Sequence, residues 1–229
     1  MDEGTTLFAE GLSQLGAGDH DRPTPLADWN TAQLIAHVNS NARALVNLAT
    51  WARTGVESPM YQNNDQRARD IDEGAKQSLQ FLIEDFGSAS QEFSSAIKSL
   101  TPEQLDFKVK SARGRDIPAS EAVWIRIREV WIHAVDLAVG ITFSRFSEPL
   151  LSALLDDVVA SLGAREGTPG LQLIAVDTTK SWSTARGEKG ARVAGDESEL
   201  LAWLVGRSKG ESLSFDAPGG VAPALPAWL

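Results

Sequence analysis

The segment Ser120–Val139 constrains the fold more than any other, because it is apolar on nearly every side of a helix. Isoleucine, valine, leucine and tryptophan recur around it at helical spacing, and a helix of this kind is buried. Glu129 and His133 interrupt the apolar surface four residues apart, so their side chains lie one above the other, and Asp136 continues the stripe one turn on. A buried carboxylate is costly unless a partner compensates its charge. The sequence therefore predicts a buried polar site inside a helical core.

Two arginines of the same segment do not fit a buried surface. Arg126 and Arg128 have long aliphatic stems that can carry their charged ends out to water. We therefore expect both guanidinium groups to be exposed.

A histidine on another helix can complete the polar site. His37 lies at the margin of the apolar face of a helix predicted over residues 31–54, so its side chain is expected to face the interior. His37, Glu129 and His133 supply two imidazoles and a carboxylate, which is the open three-ligand pattern of catalytic zinc. Helix bundles commonly bind metals through side chains of facing helices. A divalent metal held by these three residues would offset the buried charge.

Two other interpretations of these residues stay open at this point. Glu129 and His133 can form a plain ion pair, with His37 a separate core histidine, since an E-x-x-x-H spacing is by itself a weak signal. Two histidines and one carboxylate also form the facial triad of iron(II) oxygenases, although that triad is more typical of β-rich scaffolds.

Helical patterns fill the first 145 residues and predict an antiparallel four-helix bundle. The Thr101-Pro102-Glu103 sequence predicts a helix start with Pro at its first position, and the charged stretch 107–116 predicts a loop or ribbon. The longer helical segments are expected at residues 5–15, 31–54, 65–100 with a bend near Gly87, and 120–139.

The pattern changes after residue 145, and residues 146–229 are expected to form a smaller C-terminal α/β domain, which makes the fold class α+β. A glycine-flanked turn at residues 187–190 predicts that the strands on either side of it pair as a hairpin. Helices are expected at 149–162 and 197–205, strands at 170–176, 181–185, 191–194 and 212–215, and coil from 217 onward.

Composition excludes several classes of function. The formal net charge is −10, which argues against a nucleic-acid partner, and the absence of cysteine excludes disulfides, cysteine-ligated metals and a cysteine nucleophile. No window approaches the roughly 18 apolar residues of a membrane span, and the acidic N-terminus lacks the basic region of a secretory signal. We expect a cytoplasmic protein, with no membrane partner, of a size that can be monomeric.

Three segments resemble the DinB-like metal-binding bundle superfamily and its actinobacterial branch. The segment from Asp28 to Val38 resembles the motif that opens the second helix of that bundle. The segment from Arg128 to Leu137 resembles the R-E-x-x-x-H-x-x-D motif of the branch. The segment from Leu201 to Arg207 resembles the L-x-W-L-x-G-R element of its C-terminal domain. The resemblance covers nearly the whole chain, in the right order, and is closest to the mycothiol-dependent maleylpyruvate isomerases.

This resemblance implies a metal site made by His37, Glu129 and His133, with mycothiol as the thiol cofactor. It implies cis–trans isomerisation of maleylpyruvate to fumarylpyruvate, a step of aromatic degradation in the gentisate pathway. Zinc lowers the pKa of a bound thiol, and the thiolate would add to the cis double bond, allow rotation and then be expelled. Because the chain has no cysteine, the sulfur would come from outside.

Two further residues are candidates for supporting roles. Arg207 is expected to work at the same site as a catalytic residue that grips a carboxylate of the dicarboxylate substrate, although it can instead cap the last carbonyls of its own helix. Asp136 can orient a ligand histidine or form a plain salt bridge. Two alternative functions are a mycothiol S-transferase that acts on another electrophile, and a non-catalytic metal-binding module.

Overall fold

The computed structural model describes residues 2–184, 190–216 and 222–228, and the chain divides into two compact units, residues 1–141 and 142–229. The expected α+β class is confirmed, since the first unit is mostly helical and the second carries a four-stranded sheet. In the described part of the chain, no helix is both long and apolar enough to cross a membrane. The elements of the first unit are α1 (Asp2–Leu12), α2 (Thr31–Thr54), α3 (Asn64–Ala75), α4 (Leu79–Lys98), α5 (Pro102–Leu105), β1 (Lys108–Lys110), β2 (Asp116–Pro118) and α6 (Glu121–Asp136).

Helices α1, α2, α4 and α6 form the bundle of the first unit. Helix α2 packs against α4 and α6, α1 packs against α6 and α4, and α3 lies along α2. The expected ribbon closes one part of the core, because β1 and β2 pair antiparallel with the buried Val109 opposite the buried Ile117. The apolar faces of α2, α4 and α6 meet this ribbon in one cluster.

Local signals fix both ends of α2. The side chain of Asn30 accepts a hydrogen bond from the backbone of Gln33 at 2.9 Å, and the Gln33 side chain accepts one from the backbone of Asn30 at 3.1 Å. This reciprocal capping satisfies amides that the helix itself cannot pair. Gly55 ends the helix in the left-handed conformation (φ 73°), which glycine adopts at little cost.

The helical stretch expected over residues 65–100 is two helices, and the break lies at residues 76–78. Ser78 accepts a hydrogen bond from the backbone of Phe81 at 3.2 Å and starts α4 afresh. The chain does not break at Gly87, which is an exposed position inside the continuous α4. A serine cap thus starts a separate helix within the stretch that was expected to be one.

Helix α6 is shorter than its apolar pattern suggests, and α1 lies close against it. The left-handed conformation of Ala138 (φ 53°) turns the chain away after Asp136. A side chain at Gly4 would come within 2.4 Å of Trp131, and one at Gly11 within 2.7 Å of Leu137. The absence of side chains at these two glycines therefore lets α1 approach the outer face of α6.

Within the described residues, the second unit consists of a four-stranded mixed sheet and two α-helices. Its strands lie in the order β4-β3-β5-β6, with β3 and β5 parallel and the other pairs antiparallel. Helix α8 packs against β3 and β5, and α7 packs against α8 and β4. Its elements are α7 (Glu148–Gly163), β3 (Leu171–Ala175), β4 (Ser181–Ser183), β5 (Ala191–Gly195), α8 (Glu197–Leu204) and β6 (Ser214–Asp216).

The expected hairpin between β4 and β5 is wrong. Its turn, at 187–190, lies mostly outside the described residues, but the two strands are not neighbours, because both pair with β3 on opposite sides. In β3, Leu171 and Leu173 are fully buried, so this apolar strand is favoured at a central position with a partner on each edge. Burial of β3 outweighs the local turn signal.

Candidate metal centre

Helix α2 places His37 against α6 inside the first unit. The His37 side chain is buried, and its Nε2 atom lies 3.0 Å from Oε2 of Glu129. Leu34 and Val38, its neighbours on the inner side of α2, are fully buried and hold the helix against the core. The interior position expected for His37 is therefore the one that the structure shows.

Helix α6 supplies the other two members of the cluster. Glu129 and His133 are one turn apart, and Nε2 of His133 lies 3.2 Å from the same Oε2 atom of Glu129. The two imidazole rings stand nearly perpendicular, at 87°, with centroids 5.1 Å apart. Both Nε2 atoms thus converge on one carboxylate oxygen, so the structure brings together the three residues that the sequence nominates.

This convergence has the dimensions of a metal site. One potential ligand atom from each of His37, Glu129 and His133 lies within 4.8 Å of the other two. Ligands held tetrahedrally at about 2.0–2.1 Å from zinc are roughly 3.3 Å apart, and the two Nε2 atoms lie 3.0 and 3.2 Å from Oε2 of Glu129. Within residues 2–184, 190–216 and 222–228, this is the one group of three or more such side chains that could hold a metal ion.

The electrostatics of the cluster favour the ionised form of Glu129. Burial would raise the pKa of Glu129, but His37 and His133 outweigh it and hold that pKa well below its usual value. Burial lowers the pKa of His37, against the opposing effect of Glu129, and so favours a neutral imidazole. Burial also lowers the pKa of His133, but hydrogen bonds to Asp136 and Glu129 outweigh it and raise the pKa to about 9. A divalent cation would take the place of the proton on His133, because a ligand imidazole must be deprotonated.

Asp136 lies behind His133 on the same helix. Its Oδ2 atom is 2.8 Å from Nδ1 of His133, and the Asp136 side chain is fully buried. A carboxylate in this position sets which ring nitrogen carries the proton and leaves the other nitrogen to bind a metal. The contact has the geometry of an orienting partner.

Three residues around His37 were not identified from the sequence. The Trp29 ring lies 5.1 Å from the His37 ring, and the guanidinium of Arg67 lies 3.3 Å from His37 Nδ1. Tyr61 lies beside Arg67, and burial and the charge of Glu129 raise its pKa to about 12, although the charge of Arg67 opposes the rise. The sequence offers one signal that could have found Arg67, since it precedes the buried Ile71 of α3 by one helical turn.

The expected exposure of Arg126 is wrong. Its side chain is 1% exposed and donates to the backbone carbonyl of Val38 at 2.7 Å and to Oγ of Ser90 at 3.1 Å. Burial lowers its pKa to about 10, partly offset by the charge of Glu129. These acceptors replace water around the guanidinium, and through them Arg126 ties α6 to both α2 and α4.

Arg207 belongs to the second unit and binds the end of its own helix. Gly206 adopts the left-handed conformation (φ 76°) after α8, and the backbone amide of Arg207 donates to the carbonyl of Ala202 at 2.8 Å. The Arg207 side chain donates to the carbonyl of Val205 at 2.6 Å. The capping contact considered in the sequence is present, and a role in substrate binding stays a prediction.

The chain is similar to proteins of one enzyme family. The family model for the mycothiol maleylpyruvate isomerase N-terminal domain matches residues 1–138. A crystal structure of the mycothiol-dependent maleylpyruvate isomerase is 31% identical, with a TM-score of 0.90 over 99% of this chain and 93% of that chain. A crystal structure of a histidine-to-alanine mutant of that enzyme is 30% identical, with a TM-score of 0.92 over the same shares. Curated protein sequences gave no significant match. The chain therefore belongs to the mycothiol-dependent maleylpyruvate isomerase family, as its motifs predict.

Proposed function

We propose that this chain catalyses the mycothiol-dependent cis–trans isomerisation of maleylpyruvate to fumarylpyruvate. The observation that carries the proposal is the convergence of His37 Nε2 and His133 Nε2 on one oxygen of Glu129. The names of the similar solved structures supply the substrate and the thiol. The cytoplasmic location expected from the sequence is part of the same proposal.

The residues present fit a divalent metal, and we assign it as zinc. Two imidazole nitrogens and one carboxylate oxygen form the donor set of catalytic zinc sites, which keep a further position open. When bound, zinc would lower the pKa of a coordinated thiol and stabilise the thiolate. In this assignment His37, Glu129 and His133 hold the metal, and Asp136 keeps the proton of His133 on Nδ1.

The chain itself provides no sulfur nucleophile, because it contains no cysteine. An external thiol is therefore required by the proposed chemistry, and mycothiol fills this role. The substrate carries negative charge at both ends, so it needs cationic groups that hold it. We assign Arg207 to one of these carboxylates, since a guanidinium can bind a carboxylate through two parallel hydrogen bonds.

The test is an assay of the purified protein, after metal analysis, on maleylpyruvate with and without mycothiol. We expect one zinc per chain and turnover to fumarylpyruvate only when mycothiol is present. Binding of mycothiol without turnover of maleylpyruvate would favour an S-transferase that acts on another electrophile. Zinc bound without any affinity for mycothiol would favour a non-catalytic metal-binding module.

A further inference from the structure

Arg67 brings a positive charge next to the metal centre from a third helix. It lies on α3, and its Nη2 atom is 3.3 Å from Nδ1 of His37. The other ring nitrogen of His37 faces Glu129 at 3.0 Å. A single imidazole ring therefore separates the guanidinium of Arg67 from the atoms that we assign as metal ligands.

The charge of Arg67 has no anionic partner within the described residues. Among the described residues no carboxylate lies within 4.0 Å of its guanidinium, whereas Arg43 on the neighbouring α2 binds Asp85 through two nitrogens, at 2.5 and 2.9 Å. Its contacts are instead His37 and Tyr61, with the guanidinium 5.9 Å from the centre of the Tyr61 ring. A half-buried arginine that donates to a ring nitrogen and lies beside an aromatic ring is oriented but not neutralised.

Metal binding would remove the acceptor that Arg67 has on His37. A neutral histidine that binds a metal through Nε2 carries its proton on Nδ1. Arginine has only donors, so Nδ1 and Arg67 would then face each other as two donors. With the metal present, the guanidinium needs a different acceptor beside the centre.

We propose that Arg67 binds a carboxylate of the substrate next to the metal. The planar guanidinium suits a carboxylate because it can donate two parallel hydrogen bonds. The Tyr61 ring lies beside the guanidinium, with its centre 5.9 Å away, and limits where the group can move. The proposal rests on the proposed function for the identity of the substrate, and it adds a cationic group within the first unit itself, separate from Arg207. It predicts a preference for small carboxylates over uncharged analogues.

The test compares two variants of the zinc-loaded protein, Arg67→Met and Arg69→Met. Arg69 lies on the same helix, is exposed, and has no ion pair among the described residues, so it controls for loss of one positive charge. The probe is maleate, a small dicarboxylate, and its Kd is measured by calorimetry. We expect Arg67→Met to weaken maleate binding by roughly 10- to 100-fold, with zinc content unchanged and Arg69→Met like wild type.

Arg67→Lys adds a test of the planar group, and we expect it to restore only part of the affinity. In turnover of maleylpyruvate, Arg67→Met should raise KM and leave the affinity for mycothiol unchanged. Equal maleate affinity in wild type and Arg67→Met, or loss of zinc in Arg67→Met, would overturn the proposal. Binding of maleate that depends on Arg67, in a protein that does not isomerise maleylpyruvate, would support the carboxylate site and reject the proposed reaction.

Discussion

Nδ1 of His133 lies 2.8 Å from Oδ2 of Asp136, whose side chain has no exposure to solvent. The pair sits within one turn of α6, so the helix backbone fixes its geometry. Because Asp136 accepts a hydrogen bond from Nδ1 of His133, the other ring nitrogen, Nε2, is directed at Glu129. Replacing this carboxylate should therefore change the metal site without touching a proposed ligand.

Asp136→Asn is expected to weaken metal affinity by about 10- to 100-fold, which is typical for loss of a carboxylate behind a ligand histidine. The amide can still occupy the space, but it no longer enforces the tautomer of His133. Titration against a chelator of known affinity measures the change. Asp106→Asn, at an exposed position of the same unit, serves as the control. Equal affinity in the two variants would show that Asp136 does not orient the ligand.

His37→Ala is expected to remove most of the bound metal while helical content stays near that of wild type. Two of the three proposed ligands remain, and the apolar core of the bundle is untouched. Metal analysis and circular dichroism measure the two effects. His20→Ala is the matched control, since His20 bonds Asp21 and the carbonyl of Gln77 away from the cluster. Substoichiometric metal in wild type that the His37 change leaves unaltered would contradict the assignment.

The stability of the metal-free protein should fall as pH rises through the range set by His133. Hydrogen bonds to Asp136 and Glu129 outweigh burial and raise its pKa from 6.5 to about 9. A raised pKa means that protonation of His133 stabilises the folded state. This stabilisation is complete below pH 6.5 and is lost above about pH 9. Urea unfolding with metal removed should show this loss, on the order of 1 kcal/mol or more. The His133→Asn variant should lack it, and parallel curves for the two proteins would disprove the role of His133.

Activity should require an external thiol and proceed without a covalent enzyme intermediate. The chain has no cysteine that could form a thioether with the substrate. Turnover should therefore vanish in thiol-free buffer, and mass spectrometry during turnover should find only the unmodified chain. Mycothiol disulfide, which has no free thiol, is the control. An unchanged rate without thiol would exclude this chemistry.

Arg207→Ala is expected to cost about 2–5 kcal/mol of transition-state stabilisation, or roughly 30- to several-thousand-fold in rate. Arg207→Lys should recover little, because an ammonium group cannot bind a carboxylate through two parallel bonds. Since Arg207 also binds the carbonyl of Val205, thermal unfolding and metal content are measured alongside the rate. Normal activity in Arg207→Ala, or a loss explained by unfolding alone, would limit Arg207 to capping its helix.

The sequence predicts the metal candidates well because helical spacing determines which side chains share a face. Glu129 and His133 are neighbours in any α-helix, and His37 follows from the apolar face of α2. The family and the fold class, predicted from three motifs and the order of elements, are confirmed. These features depend on local periodicity, which the chain displays directly.

Features that depend on tertiary partners were missed or wrong. Arg126 is buried because Val38 and Ser90, on two other helices, supply its acceptors, and periodicity does not reveal such partners. Arg67 meets His37 only through the packing of α3 on α2. The predicted hairpin of β4 and β5 is wrong for a similar reason. Burial of β3 between these two strands outweighs the local turn, which favours pairing them directly.

The close packing of α1 on α6, allowed by Gly4 and Gly11, also sets the order in which parts of the first unit can fold during synthesis. Helix α1 leaves the ribosome before α6, which is the last helix of the first unit. The helix that covers the outer face of α6 must therefore wait for its partner until residue 136 has been translated. His37 likewise has to wait for Glu129 and His133, so the three proposed ligands could hold a metal together only after α6 has been translated.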